Sequence, residues 1–164
     1  MKPLMFAISL LFFTLAATCA SAQDAPGQGI EVMSGGQVYD SYLAAPEADG
    51  TYPGIVLIHS FNGFEEGYRT LSEQFAAEGF VVLAVGWQTF EREPTDNTVA
   101  QLVRDSVSLL RERDDVDGEQ LGLTGFCAGG RYTMLLLPQI AGQASLGTAS
   151  QIPAILRQPT SFLT

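Results

Sequence analysis

Gln120-Leu121-Gly122-Leu123-Thr124-Gly125-Phe126-Cys127-Ala128-Gly129-Gly130 is the stretch on which the fold turns. Its first half is a short apolar run of the kind that forms a strand buried in a sheet, and a helix is expected to open near Cys127. Between the two stands Gly-x-Cys-x-Gly, the nucleophile-elbow pattern with a sulfur in place of the usual hydroxyl. The flanking glycines are needed because so tight a turn leaves no room for side chains beside the nucleophile. Such a turn lifts the sulfur above the sheet edge, and the helix amino terminus beneath it favours thiolate. The N–H of Ala128 is then placed to donate to an oxyanion, with a second donor from the loop after the first buried strand, at Phe61. A free cysteine can equally be a small buried hydrophobe. The glycine frame at a strand-to-helix junction is what favours the nucleophile.

Upstream of this stretch the pattern alternates. Ile30 to Met33, then Ser34-Gly35-Gly36, then Gln37 to Ala44 predict a β-hairpin whose glycine pair supplies the turn. Pro46 to Pro53 reads as a loop. Gly54-Ile55-Val56-Leu57-Ile58-His59 is a continuous apolar run suited to a strand covered on both faces. Tyr68, Leu71, Phe75 and Ala76 fall at helical intervals within Glu66 to Glu78, and Gly79 ends that helix. Phe80 to Val85 repeats the buried-strand pattern. A loop over Gly86 to Thr95 carries Trp87, Phe90 and Pro94, of which Trp87 and Phe90 either line a pocket or cap the core. An amphipathic helix marked by Val99, Leu102, Val103, Ser106, Leu109 and Leu110 then runs to about Arg113. Strand and helix in strict alternation imply an α/β fold, a mostly parallel sheet with helices on both faces.

Composition narrows the function. The 164 residues hold 18 acidic side chains against 8 basic ones, a formal net charge of −10. That balance argues against nucleic acid, which needs clustered Lys and Arg. With 46% hydrophobic and 16% charged residues, the chain is expected to build one packed domain. Residues 1–22 read as an export signal, with Lys2, an apolar run from Leu4 to Ala17, and Ala20-Ser21-Ala22 as the cleavage site. The expected domains are therefore a signal peptide over 1–22, an amino-terminal part of the fold over 23–140, and an irregular tail over 141–164. The expected location is periplasmic or secreted, with no stable membrane span after cleavage. Cys127 then becomes the sole cysteine, a free thiol in an exported protein.

Over about residues 28–140 the chain resembles the dienelactone hydrolase family, cysteine-nucleophile members of the α/β-hydrolase fold. The resemblance rests on the hairpin, on Pro53 to His59, on the Gly63 loop, on Arg69, and on Gly125 through Tyr132. It implies hydrolysis of a small ester or lactone, of the carboxymethylenebutenolide type, through a thioester at Cys127, with neither cofactor nor metal. Two departures stand out. Where the family commonly carries a glutamate after the first buried strand, this chain has Ser60, in His59-Ser60-Phe61-Asn62-Gly63. Glu65 and Glu66 are better read as the start of a solvated helix than as its substitute. The family's downstream Asp and His also have no counterpart: no Asp follows Asp117, and the one His is His59.

His59 is expected to hold the loop, although a Cys127–His59 pair is conceivable. Arg69 and Arg131 are candidates for substrate-carboxylate binding or for supporting ion pairs. The tail suggests a truncation or frame shift near residues 141–143. Relatives often read Gly-Val-Ala-Trp-Tyr-Gly-Phe-Pro after the elbow helix, and such codons read one base later give Ala-Ser-Leu-Gly-Thr-Ala-Ser, as in Ala144 to Ser150. The later strands of the fold are then missing, which leaves Leu121 to Gly125 as an exposed edge open to self-association. The competing readings are an inactive or weak hydrolase, a non-catalytic remnant, and a thiol redox protein.

Overall fold

In a computed structural model, which describes residues 27–144, the alternation of side chains along each strand divides the core in two. Five strands and three helices make it up: β1 (Gly27–Ser34), β2 (Gln37–Ala44), β3 (Tyr52–Ile58), α1 (Glu66–Ala77), β4 (Val81–Val85), α2 (Asp96–Arg111), β5 (Val116–Gly125) and α3 (Ala128–Ala144). Val81, Leu83 and Val85 of β4, with Val56 and Ile58 of β3, face the cluster completed by Val99, Leu102, Val103 and Leu110 of α2 and by Tyr132, Leu136 and Ile140 of α3. Val82, Ala84 and Leu57 point the other way, onto Ala76, Leu71 and Phe75 of α1. A period of two along the strands and a helix on each side is the expected α/β arrangement.

The sheet order is β1-β2-β4-β3-β5. β3 runs parallel to β4 and to β5, while the β1–β2 hairpin adds antiparallel ladders, joining through β2 to β4. The fold is thus the amino-terminal part of an α/β-hydrolase sheet. β4 sits in the middle, and all five of its residues are fully buried. β5 forms one edge, with Leu123 buried and its neighbours Leu121, Gly122 and Thr124 half-buried. Gly35 and Gly36 turn the hairpin at φ 56° and 79°, where side chains are disfavoured.

Three boundaries differ from the sequence reading. β3 begins at Tyr52 rather than Gly54 and takes in Pro53, assigned above to a loop. The ladder shifts register between Pro53 and Gly54, and an irregularity of that kind is where a strand tolerates a residue without an N–H. β5 begins at Val116 because that residue pairs with Tyr52 across the shift, despite the polar Asp117, Gly118 and Glu119 that follow. α2, by contrast, opens at Asp96 directly after the Gly86 to Thr95 loop, as expected, since the Thr95 side chain caps it by accepting the Thr98 N–H at 3.2 Å. Helix α3 continues to Ala144, across position 140, with Pro138 inside it. The signal reading of residues 1–22 and the tail beyond 144 lie outside the described residues. No helix among the described residues is long and apolar enough to cross a membrane.

Candidate active site

The parallel ladder sets the ends of β3 and β5 level, Ile58 opposite Gly125, so both following turns emerge at the same end of the sheet. That is where open α/β sheets bind ligands. One further bond, Phe126 N–H to the Ile58 carbonyl at 3.1 Å, carries the ladder into the turn. The chain then bends back at once: Gly129 N–H reaches the Phe126 carbonyl at 2.9 Å and Gly130 N–H the Cys127 carbonyl at 3.1 Å. Cys127 sits at the bend with φ 53°, the one non-glycine residue at positive φ among the described residues. For a residue with a Cβ that region is strained by about 1–3 kcal/mol and persists only where the surroundings enforce it.

The enforcement is visible at the glycines. A Cβ on Gly125 would collide with the backbone carbonyl of Gly129, and a Cβ on Gly129 would collide with the carbonyls of Ile58 and His59. The first turn of α3 is thus seated directly on the ends of two strands. Cys127 itself is exposed and free.

Across from it, the His59–Gly63 turn is held by a different device. The peptide plane joining His59 to Ser60 is gripped at both ends. Its carbonyl accepts the Trp87 indole N–H at 3.1 Å, and its N–H donates to the Tyr68 hydroxyl at 3.0 Å. In the next plane the Ser60 carbonyl accepts the His59 Nδ1–H at 2.7 Å and the Gly63 N–H at 3.4 Å. The Asn62 N–H goes to the Ser60 Oγ at 3.2 Å. Of the four consecutive amides from Ser60 to Gly63, only that of Phe61 finds no acceptor among the described residues. A planar trans peptide points its N–H opposite its carbonyl, so fixing the Ser60 carbonyl fixes the direction of the Phe61 N–H. The Ala128 N–H likewise has no acceptor among the described residues.

His59 is fully buried, stacked on Trp87 at 5.2 Å and packed against Phe64 and Tyr68. Its Nδ1 must carry the proton, because its partner is a carbonyl. Burial lowers its pKa, with the Ser60 hydrogen bond opposing in part. Nε2 is buried without a partner, and no hydrogen bond joins the ring to Cys127. His59 therefore holds the loop, and the conceivable Cys127–His59 pair is not formed. Ser60 is buried, its polar groups tied into the same turn.

The two arginines separate. Arg131 pairs with Asp96 at the start of α2 and lies over the Tyr132 ring, tying the first turns of α2 and α3 together. Arg69 pairs with Glu66 at 3.4 Å and lies over Tyr42 and Phe64. It lines a cavity of about 560 Å³ between the hairpin and α1, with Ser41 and Thr89, and Cys127 does not reach it. Glu65 occupies the N-cap position of α1 without a side-chain capping bond and Glu66 opens the helix, both exposed. Trp87 caps the core at 2% exposure, whereas Phe90 is exposed against Tyr39. Among the described residues no cluster of acidic, His or Cys side chains is placed to hold a metal. The residue that sequence reasoning missed is Tyr68. Its spacing with Leu71, Phe75 and Ala76 marks it as core, and the aromatic series Phe61, Phe64, Tyr68 beside the turn is the signal of its second role.

A strained residue between two obligatory glycines, at the junction of a parallel strand and a helix, defines an α/β-hydrolase elbow. A model of the dienelactone hydrolase family matches residues 39–149, and the chain belongs to that family. Its relatives include a Bradyrhizobium protein named "Probable 2-oxo-3-(5-oxofuran-2-ylidene)propanoate lactonase". The two are 26% identical over 133 residues, covering 72% of this chain and 54% of that one. A Salmonella typhi protein named "Putative carboxymethylenebutenolidase" is 29% identical over 121 residues, covering 63% and 45%. Among solved structures, a "Putative Dienelactone Hydrolase" from Klebsiella pneumoniae superposes with a TM-score of 0.60 at 25% identity, covering 67% of this chain and 53% of its own. The chain spans about half the length of the curated relatives it matches.

Proposed function

We propose that Cys127 is the nucleophile of an ester- or lactone-hydrolysing reaction. The Sγ thiolate attacks the substrate carbonyl carbon, and the oxyanion that forms is held by the N–H groups of Phe61 and Ala128. Collapse expels the alcohol or enol oxygen and leaves a thioester on Cys127, which water then hydrolyses to the acid. The observation that carries this reading is the backbone of Cys127. Strain at an exposed cysteine, enforced by two glycines that tolerate no Cβ, has no use in packing. The Phe61 and Ala128 N–H groups, one on each turn and without an acceptor among the described residues, supply the complementary half. The relatives named for lactone hydrolysis favour a small lactone or ester as substrate.

Turnover by the residues present is expected to be slow or nil. The one His is buried and committed to Ser60, so no side chain in reach of Cys127 is established as a general base for deacylation. The chain thus acylates more readily than it turns over. Mixing with p-nitrophenyl acetate tests this: a burst of about one p-nitrophenolate per chain followed by a slow phase is expected, lost in Cys127→Ala. A purely linear release that survives Cys127→Ala would contradict it. The exposed free thiol gives a second reading, reversible oxidation, which predicts peroxide-sensitive labelling of Cys127 without any acyl burst.

Residues 1–22 act in this proposal as an export signal, and the working site is outside the cytoplasm. Cell fractionation that finds the full-length chain in the cytoplasm would overturn that part. Among the described residues β5 is an edge strand, which favours self-association, read as concentration-dependent sedimentation.

A further inference from the structure

Tyr68 stands on the first turn of α1, with its own N–H bonded to the Glu65 carbonyl at 3.0 Å and its carbonyl accepting the Ser72 hydroxyl at 2.7 Å. The helix therefore fixes where the phenol points. Three parts of the site meet it. The hydroxyl accepts the Ser60 N–H at 3.0 Å; the ring lies 5.8 Å from that of Phe126, the residue before Cys127; and it lies 5.9 Å from that of His59. Trp87 grips the carbonyl end of the peptide plane whose N–H Tyr68 holds, so the pair forms a two-point lock. Without the Tyr68 end, that plane is free to rock about its Trp87 contact. The next plane, which bears the Phe61 N–H, is then steadied only at its Ser60 carbonyl, by the His59 Nδ1–H and the Gly63 N–H, and its aim loosens.

We infer that Tyr68 is a positioning residue for acyl transfer at Cys127, aiming the Phe61 N–H at the oxygen of the attacked carbonyl by holding the Ser60 N–H. The inference rests on the reading of Phe61 as an oxyanion donor. It needs no contact between Tyr68 and the substrate. The role resembles that of supporting groups that hold a reactive constellation within a few tenths of an ångström.

Tyr68→Phe keeps the ring and removes the acceptor. Two reactions of the same sulfur then separate positioning from general damage. Acylation by p-nitrophenyl acetate passes through an oxyanion, whereas alkylation by iodoacetamide does not. Removing an oxyanion donor outright costs about 100-fold or more, and a donor left misaligned is expected to cost about tenfold. The variant should therefore acylate about tenfold more slowly and alkylate within about twofold of the parent. Equal slowing of both reactions, or no slowing of acylation, overturns the inference.

Amide exchange resolved at single residues in the unsubstituted chain provides a reading that depends neither on activity nor on the variant's folding. The Ser60 amide should be protected and the Phe61 amide fast. A Ser60 amide that exchanges as fast as Phe61 overturns the Tyr68 role. A parent chain that alkylates but never acylates, with Ser60 still protected, instead overturns the nucleophile reading and leaves the lock in place.

Discussion

Two turns leave the same end of the sheet and are built on opposite principles. The His59–Gly63 turn is held by hydrogen bonds: Tyr68, Trp87 and the turn's own His59 ring supply one each, and the Phe61 N–H has no acceptor among the described residues. The Phe126–Gly130 turn is held by exclusion. Its glycines fit because nothing larger can, and Cys127 is driven to φ 53°. A donor needs direction, which hydrogen bonds give. A nucleophile needs projection, which a sharp bend gives at the cost of strain.

That contrast predicts unequal responses to substitution. The largest effect is expected at Gly129. Gly129→Ala drives a methyl into the backbone carbonyls of Ile58 and His59, which cannot move without opening the β3–β5 ladder. A loss of about 3 kcal/mol in denaturant unfolding is expected, with acylation abolished. A variant of parental stability would mean that the turn is not held by exclusion.

Cys127→Gly should act in the other direction. Glycine accepts positive φ freely, so relief of strain outweighs the added freedom of the unfolded chain, and stability should rise by about 1 kcal/mol while acylation is lost. A fall in stability would show that Cys127 packs rather than strains.

The hydrogen-bonded turn predicts a pH dependence instead. Burial lowers the pKa of His59 below its ordinary value of 6.5, so below that pH the unfolded chain takes up a proton that the folded chain refuses. The stability linked to neutral His59 is therefore complete above pH 6.5 and lost as pH falls toward the lowered value. His59→Asn keeps a donor for the Ser60 carbonyl and removes the titration. Unfolding free energies between pH 7.5 and 5.5 should show a smaller decline in the variant; equal declines would place the proton elsewhere.

The smallest effect is expected at Arg69. Its pair with Glu66 is solvent-exposed and spaced i, i+3, and its guanidinium lies over Tyr42 and Phe64, so Arg69→Gln should cost under about 1 kcal/mol and leave acylation unchanged. A large loss of acylation would draw the hairpin cavity into the active site.

Much of this was legible before any coordinates. The buried strands β3 and β4 are continuous apolar runs, and Gly79 marks the end of α1, because both signals are local. The elbow was legible for the same reason: Gly125, Cys127 and Gly129 fall within five consecutive residues, although the Ile58 and His59 carbonyls that crowd Gly129 come from a distant strand. The early starts of β3 and β5 were not, since Pro53 and Asp117 are poor strand formers that pair with each other only because the register shift passes over Gly118, Glu119 and Gln120. Nor was the pairing of Arg131 with Asp96, which are brought together only when α2 and α3 pack side by side. Tyr68 looked like one more apolar spacer. Its phenol acts through a hydrogen bond to a backbone N–H, and a backbone N–H leaves no mark in the sequence.

Every role assigned to these two turns depends on what the sulfur of Cys127 does with a carbonyl. Intact-mass and peptide mapping after brief exposure to p-nitrophenyl acetate measures this directly. One acetyl group per chain, confined to the peptide that carries Cys127 and released by hydroxylamine, is the predicted result. An unmodified Cys127 in a folded chain whose thiol still reacts with iodoacetamide would contradict it.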